Sequence, residues 1–153
     1  MGKLYWAVSF TGIHMMPTLW VLGGCLSLWA AMTSSAPIGI VDVLAVLVTA
    51  TGIVIEGTAD NQLRAFVDRE PPPGTILKEG LWAWSRHPNY FGEITFWWGI
   101  WLFGVAVGAP WWTALGPLSI TLLFVFISLP LIEKRHLARR PGYAEHQKRV
   151  SVL

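Results

Sequence analysis

Between Leu4 and Leu63 the chain carries no lysine or arginine, a gap that few water-soluble folds could tolerate. The first apolar block in it, about Tyr5 to Met32, holds His14 as its one basic or acidic side chain and Pro17 as its one breaker. It is much longer than the ~7–15-residue core of a secretory signal, so a retained membrane span is expected. Trp6 stands where a myristoylation motif after Gly2 needs Ser or Thr. Composition agrees: 54% of residues are hydrophobic and only 13% charged, against about 25% charge in a soluble domain, and the mean hydropathy is +0.51. Ten tryptophans suit the boundary between hydrocarbon and headgroups. Such a chain cannot be intrinsically disordered. Its single Cys25 excludes an intrachain disulfide framework and a zinc site built on several thiolates.

The expected fold class is all-α: one polytopic membrane domain over residues 1–153, with four transmembrane helices near 5–32, 38–55, 88–108 and 113–132 and a basic tail at 133–153. Each stretch is near the ~20 residues that cross a bilayer. Thr33-Ser34-Ser35-Ala36-Pro37 ends the first span. The second, with Asp42 near its start, reads on without a breaker through Arg64, so one helix is expected to leave the bilayer before Pro71-Pro72-Pro73-Gly74 stops it. Four spans place all eleven cations on one side, and the opposite loops near 33–37 and 109–112 carry none. The positive-inside rule then puts both termini and the 64–86 loop in the cytoplasm, in the inner membrane if the cell is bacterial.

Polar groups at membrane depth need a partner or a purpose. Glu56, Asp60 and Arg64 are spaced four apart and share a helix face. They read first as a salt-bridged helix end snorkelling to the headgroups, and second as part of a site. The run Ser85-Arg86-His87-Pro88-Asn89-Tyr90-Phe91-Gly92-Glu93 says more. Proline suits the first helical position, so a helix starting at Pro88 points its free amides at the basic side, an anion cradle flanked by Arg86 and His87. Asn89 and Glu93 fall one turn apart, and Glu93 is an acid in an otherwise apolar and aromatic span. In the tail stand Glu133, Arg135, His136, Tyr143 and His146, where charge alone suggests anchoring and topology. The four histidines show no metal-ligand spacing, and no metal is expected. No glycine-rich nucleotide loop is present, and the basic residues are too few for nucleic acid.

Gly80-Leu81-Trp82 followed by Ser85–Glu93 closely resembles the signature of the steroid 5-alpha-reductase C-terminal domain family, in particular its bacterial DUF1295 branch. The Ala59–Arg64 helix and the Glu133…Pro141-Gly142-Tyr143…Arg149 tail follow in that family's order, so the resemblance covers nearly the whole chain. The wider group has two cofactor habits. Sterol and steroid reductases bind NADPH, whereas isoprenylcysteine and phospholipid methyltransferases bind S-adenosylmethionine, both in a cytoplasm-facing pocket made by the last spans and the tail.

Asn89 together with Glu93 resembles the reductase side. The resemblance implies Asp60, Arg64, His87, Asn89, Tyr90, Glu93, Glu133, His136 and Tyr143 as cofactor contacts, and NADPH-dependent reduction of a C=C bond in a lipophilic, steroid- or lipid-like substrate. Relatives usually have further N-terminal spans that carry the groups polarising the substrate, so no catalytic acid is assigned. The alternatives are an S-adenosylmethionine-dependent methyltransferase of the same fold and a non-catalytic fragment. The expected partners are the lipid bilayer, a lipophilic small-molecule substrate, and another membrane protein or a second copy of the chain.

Overall fold

A computed structural model describes Trp6 and residues 10–153, without the side chains of residues 12–14, 16 and 17. Lys3, Tyr5 and the His14 side chain therefore lie outside the described residues. Those residues are helical, with no strand among them. A π-helical turn, Phe10–Met15, leads into α1, Met16–Thr33. Helix α2 is Ile40–Asp68 and α3 is Pro88–Ala106. A 3-10 turn, Trp111–Ala114, opens a continuous rod made of α4 (Leu115–Leu123), a π turn (Phe124–Ser128) and α5 (Leu129–Arg139). The short α6, Tyr143–Arg149, follows.

Asp42 caps α2: its Oδ2 accepts the Gly39 N–H at 2.8 Å, and a carboxylate there also meets the positive end of the helix dipole. Nothing interrupts α2 until Asp68, just short of three prolines that can neither donate nor continue a helix. Its 29 residues rise about 44 Å, more than the ~30 Å of hydrocarbon in a bilayer, so one end must project past any membrane it crosses.

Packing is built on small residues. Ala45, Gly52 and Ala59 are buried at seven-residue intervals along α2. Opposite them α3 runs antiparallel, with Thr49 against Gly99, Gly52 against Phe96 and Glu56 against Gly92. A Cβ on Gly52 would lie 2.5 Å from the Phe96 nitrogen, and one on Gly92 would lie 2.5 Å from the Glu56 nitrogen. Helix α1 joins the bundle the same way, Ser27 meeting Gly104 and Gly23 meeting Gly116. Large apolar side chains such as Val43, Leu44, Val46, Leu47 and Val54 face outward. Small inside and large outside is the pattern of helices packed in lipid, and so much exposed apolar surface is foreign to a soluble monomer.

Among the described residues two helices are long and apolar enough to cross a membrane, Ile40–Asp68 and the rod Trp111–Arg139. The apolar helix Thr18–Thr33 is shorter, and α3 carries Asn89 and Glu93 in its first turns. The rod survives both of its prolines for identifiable reasons. Pro117 sits in the first turn of α4, where an N–H would have no partner. Pro130 would drive its ring into the carbonyl four residues back, and the π turn before it widens the helix there, the Leu129 N–H bonding to the Phe124 carbonyl.

Candidate functional site: a buried carboxylate hub beside a cavity

The loop leaving α2 is stitched back onto that helix. Trp82 Nε1 donates to the Ala59 carbonyl at 3.0 Å, and the Leu81 N–H donates to Gln62 Oε1 at 2.9 Å. Arg86 and His87 are thereby delivered to the start of α3, where Pro88 opens the helix. His87 has an extended φ of −142°, as expected of a residue before proline.

Four side chains then converge on Glu133 of α5. Its Oε1 accepts Tyr143 Oη at 2.6 Å and His87 Nε2 at 2.7 Å, and its Oε2 accepts Gln147 Nε2 at 2.6 Å. The Arg86 guanidinium pairs with Oε2 at 2.9 Å, both side chains nearly buried. Arg86 also donates through Nη1 to the Gln147 and Val150 carbonyls, at 2.9 and 2.7 Å. Its backbone N–H reaches the Ser151 carbonyl at 2.9 Å. A buried ion pair survives desolvation only when its remaining lone pairs and protons are satisfied, and these contacts satisfy them. The two residues expected to flank an anion cradle are thus engaged by the chain itself, Arg86 and His87 both bonding Glu133.

Burial pushes the His87 imidazole below its ordinary value, opposed by the Glu133 hydrogen bond and charge and reinforced by Arg86 and Arg140. Burial thus favours the neutral imidazole, whose bond to Glu133 is a hydrogen bond rather than an ion pair. Burial, with the bond to Glu133, pushes the Tyr143 phenol upward, so it remains a donor. Burial and the nearby Lys78 and Arg86 lower His146.

Beside this hub lies a cavity of ≈ 280 Å³. Its lining mixes apolar side chains, Leu63, Phe66, Leu77 and Ile132, with polar ones, Arg86, His87, Asn89, His136 and Arg140. The His87 and His136 rings lie nearly parallel at 6.1 Å, and Tyr90 stands edge-on to Phe124 at 4.8 Å. Two polar atoms of the wall residues are buried without a hydrogen-bond partner, Asn89 Oδ1 and His136 Nδ1. Such orphans are rare, because each costs about 1–3 kcal/mol. Five side-chain atoms among the described residues are in this state, and these two belong to residues that line one hollow.

The cavity gathers His87, Asn89, Tyr90, His136 and Tyr143, with Glu133 bonded to two of them. It does not gather Asp60, Arg64 or Glu93. Asp60 and Glu93 line a separate cleft with Glu56, Phe96 and Trp97, because Gly92 seats this side of α3 directly on α2 at Glu56. Arg64 is exposed, and among the described residues no ion pair joins it to Asp60. Arg86, Arg140, Gln147 and His146 take part in the hub or the cavity although the motif alone did not mark them as contacts. Only the basic flank of the motif pointed to Arg86, and the tail's partners lie more than sixty residues away from it.

No curated protein and no solved structure matches the chain. A family model described as a protein of unknown function, DUF1295, matches residues 1–150. With nearly its whole length matched, the chain belongs to the DUF1295 family, the steroid 5-alpha-reductase-like group.

Proposed function

We propose that this protein is a four-span membrane oxidoreductase, both termini cytoplasmic, that binds NADPH at the cation-rich end of the bundle and serves reduction of a C=C bond in a lipophilic substrate. The observation that carries this reading is that Asn89 and His136, each with a buried side-chain atom that has no hydrogen-bond partner, both line a single cavity. A carboxamide or an exocyclic amine supplies the donor that Asn89 Oδ1 lacks. Arg140 and the flank of Arg86 would meet phosphate charge, while Leu63, Phe66 and Ile132 would cover a planar ring. Bound there, NADPH would supply a hydride to the β-carbon of an activated alkene and leave as NADP+, a proton from bulk solvent completing the reduction at the α-carbon. The residues of the chain hold, orient and keep water away. A dinucleotide is longer than the chamber, so Asp60, Arg64 and Glu93 are reserved for the part reaching around the first turn of α3.

One observation favours a second reading. At ≈ 280 Å³ the chamber sits just under the roughly 300–1,000 Å³ usual for ligand pockets, which suits the smaller S-adenosylmethionine and a methyltransferase of the same fold. Thermal unfolding in detergent with each cofactor decides between them. A higher midpoint with NADPH, lost in Asn89→Ala, is the expected result. A rise with S-adenosylmethionine alone transfers the site to the methyltransferase. No rise with either at saturation leaves a non-catalytic membrane fragment that pairs with other chains.

A further inference from the structure

Trp84 is 82% exposed, yet its backbone is firmly held. Its N–H donates to the Leu81 carbonyl at 3.1 Å, and its own carbonyl accepts Ser151 Oγ at 3.1 Å. It follows the 3-10 turn Gly80–Ala83, which is bonded to α2 at Ala59 and Gln62. The α2 segment from Ile40 to Ala59 rises about 28 Å, close to the ~30 Å of bilayer hydrocarbon. If α2 crosses the membrane, the turn and its outward indole therefore lie where acyl chains meet headgroups, the depth tryptophan prefers.

Beside that turn is an open groove of ≈ 410 Å³, running from Ala83 to α6 and edged by Lys78, His146 and Arg149. Glu145 also lines it, but Lys148 at 3.4 Å and Arg149 at 3.1 Å hold that carboxylate. Lys78 has no ion-pair partner among the described residues. The groove is therefore net cationic, and it begins at Ala83, the residue before Trp84.

We infer that Trp84 and the Lys78–Arg149 groove form a docking site for an anionic phospholipid, with the indole at the ester boundary and the unpaired Lys78 ammonium on the lipid phosphate. The paired apolar and cationic elements favour a lipid over a soluble phosphate, which has no use for an exposed indole. The inference rests on α2 crossing the bilayer and is independent of which cofactor the neighbouring cavity takes.

The full chain in detergent is titrated with phosphatidylglycerol, with phosphatidylcholine and with inorganic phosphate while thermal unfolding is followed. Phosphatidylglycerol alone should raise the midpoint, with Lys78→Gln weakening its apparent affinity about fivefold and Trp84→Ala removing most of the rise. An equal rise with inorganic phosphate, or none specific to phosphatidylglycerol, overturns the inference. Bromolipid quenching in nanodiscs supplies a test that tolerates poor folding of the alanine variant. The difference spectrum between wild type and Trp84→Phe should be quenched by bromines placed near the headgroup, and an unquenched difference overturns the inference. The remaining tryptophans report embedding itself, so a failure of the membrane reading shows separately, as no quenching of any of them.

Discussion

Tyr143 Oη donates a 2.6 Å hydrogen bond to Glu133 Oε1, fastening the first residue of α6 to a carboxylate ten positions earlier. Gly142, in the left-handed region at φ 79°, makes the reversal between α5 and α6 that lets the two meet. A side chain with a Cβ is strained in that conformation. The same carboxylate takes Gln147 and Arg86, so one acid joins the end of the rod, the start of α3 and the tail.

Glu133→Ala should therefore be the most damaging single change at this end of the bundle. Arg86 would be left buried without its counter-charge, at a cost of about 3–5 kcal/mol. Tyr143→Phe removes one bond to a charged acceptor and should cost about 1.5–3 kcal/mol. Unfolding midpoints in detergent rank the two, and equal losses would contradict the hub.

Acid should destabilise the protein through its histidines. His87 and His146 both lie below the ordinary value of 6.5 in the folded state, so below that pH the unfolded chain binds more protons than the folded one. Their contribution is complete above about pH 6.5 and is lost as pH falls toward the depressed folded values. A midpoint-versus-pH curve from 8 to 5 should fall on the acid side, and His87→Gln should flatten it.

Asn89→Leu separates stability from binding. It removes an unsatisfied buried oxygen, so the ligand-free protein should unfold at the same or a higher temperature. The cofactor-induced shift should vanish. A variant that is less stable and still responds to cofactor would show that the oxygen serves packing rather than ligand.

Gly92→Ala tests the helix seam. The added methyl meets the Glu56 backbone nitrogen, which cannot swing aside as a side chain would, so α2 and α3 must separate at a cost of about 1–3 kcal/mol. Gly57→Ala, on the same helix pair but with open space around it, should be neutral or slightly stabilising. Thermal unfolding of the two variants side by side gives the comparison.

Much of this was legible in the sequence where the cause is local. The length of α2 follows from the absence of any breaker before Pro71, and the start of α3 follows from Pro88. The run Ser85–Glu93 stands out as a unit because it is contiguous. Contacts set by tertiary geometry were not legible. Nothing in the tail announces that the Val150 carbonyl bonds to Arg86, 64 residues away. The four-residue spacing of Asp60 and Arg64 suggested an ion pair, but an exposed pair gains little over solvation, and the structure leaves Arg64 in the open. Asn89 and Glu93 are one turn apart, yet Gly92 pressed against Glu56 is what sends them into different clefts.

The π turn at Phe124–Ser128 sets a limit on how this protein can evolve. Every residue beyond it, including Ile132, Glu133 and His136, takes its angular position from the number of residues in that turn. One insertion or deletion there would rotate the rest of the rod by about 100°, carrying Glu133 away from Arg86 without altering a single side chain of the site. Substitutions within the turn should be common among descendants of this sequence, and changes in its length should be purged.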